Sequence, residues 1–111
     1  MYTTKQYVIA LRVCQNQMTD AQKQMLRVQY AAPDRTVTSQ ELAAAIGWRS
    51  HSPVNLWYGD LGKIVGQELG YSPKAHRFWF EVLSEEIKFP TRIQWRMHPA
   101  LAEALRTLGM V

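Results

Sequence analysis

The chain has one cysteine, Cys14, so no intrachain disulfide can form and nothing in the fold is expected to depend on an oxidising compartment. It has no stretch approaching the roughly 20 consecutive apolar residues that a membrane span requires. Its start, MYTTKQYVIALRVCQ, lacks an unbroken apolar run followed by a small-residue cleavage site. A cytoplasmic protein without membrane contact is expected. There is no internal repeat or low-complexity tract, and the longest unpatterned stretch is the short GYSPKAH around Pro73. One domain covering residues 1–111 is therefore expected.

Chemistry-bearing clusters are equally scarce. No Cys-x-x-Cys is present and His51, His76 and His98 are widely spaced, so no metal site is expected. Glu85 and Glu86 are neighbours that would project to opposite faces of a strand, a poor acid and base pair. The glycines fall within a helical pattern and are not followed by Lys-Ser or Lys-Thr, which excludes a phosphate-binding loop. No cofactor and no enzymatic activity are expected.

What the chain does have is apolar content of 47% and a formal net charge of +4, values that suit a folded domain able to meet a polyanion. The excess of positive charge lies toward the two ends, and residues 35–70 carry three charges of each sign.

Helix signals follow in order. Thr3 or Thr4 can cap a first helix with Tyr7, Leu11, Cys14 and Met18 at helical spacing. Thr19 with Gln22 makes a capping box for a second helix ending near Ala31, and Thr38 with Glu41 repeats it for a short third helix stopped by Gly47. Ser52 before Pro53 opens a fourth helix that runs to Gly70, with Val54, Trp57 or Tyr58, Leu61, Val65 and Leu69 facing inward. From Arg77 the period changes to two. Residues 78–83 and 92–97 read as two strands of a hairpin with Pro90 near its loop, and Pro99 starts a last helix that ends at Gly109.

A short capped helix, a turn, a longer helix and a two-stranded ribbon form the order of a winged helix-turn-helix within a mainly α (α+β) protein of four helices, a β-hairpin and a C-terminal helix. On that reading residues 47–52 are the turn and the start of the fourth helix can enter a DNA major groove. Asn55 suits adenine, and Arg49 suits guanine or phosphate. Ser50, His51 and Lys63 serve the DNA backbone, while Arg35, Arg77 or Arg92 holds phosphates. The competing reading makes Ser50 and Ser52 caps, His51 a solvated loop residue and Asn55 a capping partner.

Gly59, Gly62 and Gly66 each cost a helix about 1 kcal/mol relative to alanine. Either DNA backbone approaches Gly59, or a neighbouring helix or the hairpin packs against Gly62 and Gly66; packing within the chain is the favoured account. Trp57 and Trp95 fall on core faces, Trp48 and Trp79 read as surface rings, and Arg92 and Arg96 are expected to be neutralised by Glu81 and Glu85 across the strands.

Read together, YAAPDRTVTSQELAAAIGW, VNLWYGDLG and WRMHPALAEALRTLGMV resemble a small bacterial domain that occurs alone or joined to HNH endonuclease modules, over about residues 25–111. Asn55, Tyr58 and Gly59 match that family's central motif, and Trp95, Met97 and Pro99 its closing motif. The resemblance implies a domain that helps a nuclease find its DNA, including modified or phage DNA, with a restriction function nearby; no catalytic residue carries over. A fainter likeness is to the DNA-binding half of alkylguanine repair proteins, but the Pro-Cys-His-Arg stretch is absent and Cys14 reads as a buried, inert thiol.

The expected partner is double-stranded DNA, with a nuclease or defence-system protein alongside. The alternative is a protein-binding adaptor or inhibitor of a phage or defence system that uses the same fold as a docking surface, for which a patch of Leu56, Trp48 and Trp79 would speak.

Overall fold

A computed structural model describes residues 2–74, 77–89 and 92–111. His76 and Pro90, to which sequence reasoning gave a place, lie outside these.

Helix α1 (Thr4–Cys14) starts at Thr3, whose hydroxyl accepts from the Gln6 amide while the Gln6 side chain returns to the Thr3 amide. The expected caps hold in the next two helices as well. Thr19 and Gln22 close the box on α2 (Asp20–Ala31), and Thr38 and Glu41 close it on α3 (Ser39–Ala45). Between α1 and α2 a tighter turn, Gln15–Gln17, carries the chain to the buried Met18, so that residue belongs to the core without belonging to the first helix.

Gly47 follows α3 with φ +81, a left-handed conformation that an L side chain rarely adopts, and the chain then turns into α4 (Ser52–Leu69). Pro53 sits in the first turn, as expected. The hydroxyl that serves this helix start belongs to Ser50, which accepts from the Ser52 amide at 3.2 Å, and not to Ser52.

The expected strand over residues 78–83 is not there. Trp79–Val82 forms a 3-10 turn, and the strands are β2 (Ser84–Phe89) and β3 (Arg92–Met97). Apolar alternation misled here because this segment is packed on two sides, so its pattern reflects burial and not pleating. Its carbonyls are taken from outside the sheet. Tyr7 Oη donates to Val82 O at 2.7 Å, the His98 ring meets Glu81 O at 2.7 Å, and the His98 amide donates to Leu83 O at 3.0 Å.

A third strand, β1 (Thr36–Val37), escaped sequence reasoning because two residues give no periodicity. It pairs antiparallel with β3, giving the order β1-β3-β2. Helix α5 (Pro99–Thr107) closes the chain and packs on α1. The described residues thus make a mostly helical α+β protein, with five α-helices and one three-stranded antiparallel sheet. No helix among them is long and apolar enough to cross a membrane.

The core is continuous from Tyr7 and Leu11 of α1 through Leu26, Leu42, Tyr58 and Leu61 to Trp95, Met97 and Leu105. At its centre Tyr58 stacks on Trp95, centroids 4.3 Å apart and planes within 3°. A closed ring of hydrogen bonds lies beside the stack. Tyr58 Oη donates to Gln29 Oε1 at 2.6 Å, Gln29 Nε2 donates to Ser84 Oγ at 2.9 Å, and Ser84 Oγ lies 2.6 Å from Tyr58 Oη. Every buried polar atom of the ring has a partner, which burial demands. Burial pushes the Tyr58 hydroxyl well above its ordinary pKa, with the Ser84 and Gln29 bonds pulling the other way.

Candidate functional site

The side chains that place the site lie along one stripe of α4: Asn55, Gly59, Gly62 and Gly66, at spacings of four, three and four. The Trp79–Val82 turn covers the rear of this stripe. A Cβ built on Gly62 would come within 2.4 Å of Trp79 O, and one on Gly66 within 3.0 Å of the Trp79 ring. Packing within the chain therefore explains these two glycines, and the packing element is the turn ahead of the hairpin. Gly59 differs, since a Cβ there meets nothing within 4 Å.

Ahead of the covered half the stripe borders a groove of about 590 Å³ between α4, the start of α3 and the hairpin. Its helix side is His51, Asn55 and Gly59, with Ser39 and Gln40 of α3 at the edge. Its hairpin side follows from the strand register. Residues paired across an antiparallel ladder project to the same face, so Glu86 with Trp95 and Lys88 with Ile93 face α4. Phe80 and Arg92 complete the lining. Ile93 is 51% exposed, and Phe80 packs against Trp95 with centroids 5.9 Å apart. The groove thus joins apolar walls to a carbonyl-and-amide group at Asn55, a carboxylate at Glu86 and cations at Lys88 and Arg92. Lys88 Nζ lies 3.6 Å from Glu86.

The opposite face of the sheet has a second, larger hollow of about 870 Å³ whose charges answer one another. Arg96 pairs with Glu85 and reaches Asp34 at 3.4 Å, and Arg106 pairs with Glu103. Arg35 belongs to this side. Its guanidinium donates to Tyr30 O at 2.7 Å and lies 3.9 Å over the Tyr30 ring. Asp34 and Arg35 both have φ 54, so this arginine is held in a strained turn.

Of the expected contacts, the groove brings together His51, Asn55 and Arg92. Arg49, Ser50 and Lys63 are exposed nearby in sequence but do not line it. Arg49, Lys63 and Arg92 make no ion pair among the described residues. Arg35 is on the far face, half-buried. Arg77 pairs with Glu81 at 3.7 Å, and the same carboxylate accepts from Tyr71 Oη and the Phe78 amide. This corrects one expected charge pair: Arg96 does meet Glu85, but Glu81 serves Arg77 and not Arg92.

Trp48 and Trp79, read as surface rings, are half-buried. Trp48 meets the edge of Trp57 at 5.9 Å and Trp79 that of Tyr71 at 5.9 Å, so with Leu56 they do not form one patch. Cys14 is fully buried, and burial pushes its thiol up to about 11, with Glu68 adding to the effect.

Glu86, Lys88, Phe80 and Ile93 were missed because misplacing the first strand hid the register that aligns them. The signal available was the run SEEIKF, whose inward-facing members beyond Ser84 are charged and so carry no apolar rhythm.

These features define a mostly helical α+β protein whose fourth helix and hairpin flank a mixed-charge groove. No protein-family model matches the chain, and neither a curated protein nor a solved structure matches it.

Proposed function

We propose that this protein is a DNA-binding accessory module with a winged helix-turn-helix core, working beside a restriction or HNH-type nuclease. The observation that carries the reading is the start of α4. It follows a sharp turn at Gly47, leaves His51 and Asn55 exposed, and has Arg49 just ahead of it, Arg92 at the edge of the groove and Lys63 about three turns further along the helix, with no carboxylate paired to any of the three among the described residues. Helix starts favour anions through their free amides and dipole, and unpaired cations release counterions from a phosphate backbone. The order α2, β1, α3, α4, β2, β3 with strands arranged β1-β3-β2 supports the winged-helix part of the reading.

Anisotropy titration of labelled duplex DNA across a salt series is the test. Binding should weaken steeply with salt, and Arg49→Ala with Lys63→Ala should weaken it further and flatten the log–log slope by about 0.9 for each phosphate that the variant no longer neutralises. No binding at low salt, to plain or modified duplex, would overturn the proposal.

A second reading, a protein-binding adaptor or inhibitor in a phage or defence system, is favoured by exposed apolar side chains. Leu56 is 66% exposed, and Ile9 and Val13, one turn apart on α1, are 56% and 57% exposed. Unchanged activity in cells for the Arg49 and Lys63 variants would favour it.

A further inference from the structure

Two of the three glycines in the α4 stripe are explained by what lies on them, and the third is not. Glycine in a helix interior is destabilising, and Gly59 has no neighbour within 4 Å of where a Cβ would stand. It lies instead on the wall of the groove. A helix backbone left bare at that point leaves room for something flat to lie against it.

We infer that this groove receives a single nucleotide swung out of the duplex, an inference that rests on the DNA-binding reading above. The volume of about 590 Å³ falls within the roughly 300–1,000 Å³ of small-ligand sites. Its apolar walls, Ile93 and Phe80 with the edge of Trp95, suit the face of a heterocycle, which a base still in the stack does not offer. Asn55 supplies a donor and an acceptor for a base edge, and Glu86 accepts from an exocyclic amino group. Lys88 and Arg92 on the hairpin side suit the phosphate that moves with the base. Glu86 offsets part of this positive charge through its contact with Lys88, and Arg92, which alternation along β3 turns toward the other face, reaches the groove only at its edge.

An unpaired base is the least costly to extrude, so a duplex carrying one should be preferred. The experiment compares a fully paired labelled duplex with the same duplex bearing a one-nucleotide bulge, for the unsubstituted protein and for Gly59→Leu. The unsubstituted protein should bind the bulged duplex at least about tenfold more tightly. Gly59→Leu, which projects a side chain into the groove beside Asn55, should lose the preference and bind both alike. Thermal melting establishes that the variant folds; Ile93→Glu, at an exposed position, provides an independent block. Equal binding of both duplexes by the unsubstituted protein overturns the inference and leaves the DNA-binding reading standing. Retention of the preference by the blocked variants overturns it too. Failure to bind either duplex at low salt overturns both readings together.

Discussion

Helix α4 carries one small-residue stripe with two different surroundings. Its rear half lies under the Trp79–Val82 turn so closely that the turn's backbone occupies the space of a side chain at Gly62, and the Trp79 and Val82 side chains press on Gly66. Its front half, Asn55 and Gly59, borders an open groove. The same residue type therefore serves the fold at one end and is left without a structural purpose at the other. The sheet repeats the contrast. On one face Arg96 and Arg106 are paired with Glu85 and Glu103, and Arg35 is held by Tyr30. On the face toward α4, Glu86 and Lys88 meet each other and border the open groove. Where charge and packing are already satisfied, little remains for a partner to gain.

The strongest way to break this comparison is Gly62→Ala. A methyl group 2.4 Å from Trp79 O must displace backbone, and overpacking of this kind costs about 2–3 kcal/mol, read as a lower denaturation midpoint. Unchanged stability would show that the turn does not rest on the helix as described.

Tyr58→Phe tests whether the open half of α4 is fastened from beneath. It strands Gln29 Oε1 and takes the acceptor from the Ser84 O–H, whose oxygen still accepts from Gln29 Nε2, for a loss of about 1–3 kcal/mol in chemical denaturation.

Gly59→Ala should move the other way. With nothing near the new methyl group, helix propensity alone acts and the protein gains up to about 1 kcal/mol. A loss there would mean that the front half is packed after all.

The smallest effect is expected for Gly66→Ala. Contacts at 3.0 Å with the Trp79 ring and 3.2 Å with the buried Val82 methyl need shifts of a few tenths of an ångström, whose cost roughly offsets the gain in propensity, for a net change under about 1 kcal/mol by melting.

A pH measurement concerns the core alone. With its pKa raised to about 11, Cys14 stays protonated in the folded protein after an unfolded thiol has ionised. Labelling by a thiol reagent should therefore be slow at pH 8, where the thiol is both protonated and out of reach, and should approach completion on unfolding. The same shift means that this group's contribution to stability is present below the unfolded pKa and is lost as pH rises through the folded one.

The helices were legible because their signals are local. Thr19 and Gln22, or Thr38 and Glu41, satisfy amides three residues apart, and Gly47 stops a helix through its own φ. Part of the candidate site was legible for the same reason, since Asn55 and His51 are placed by the helix start that Pro53 announces. The groove's other side was not. Glu86, Lys88 and Ile93 reach it only through the β2–β3 register, and Arg35 left the expected set because Tyr30, five residues earlier, captures its guanidinium.

Local chemistry in the chain thus determined where helices begin and end and which residues stand at the start of α4. Tertiary structure alone decided that residues 79–82 would curl against Gly62 instead of extending, that a two-residue strand would join the sheet, and which arginines would be left without partners. The physical reason is range. A cap closes within one turn of backbone, whereas a strand's partner, a glycine's neighbour and the carboxylates that meet Arg96 are supplied by residues distant in sequence, chosen by the packing of the whole.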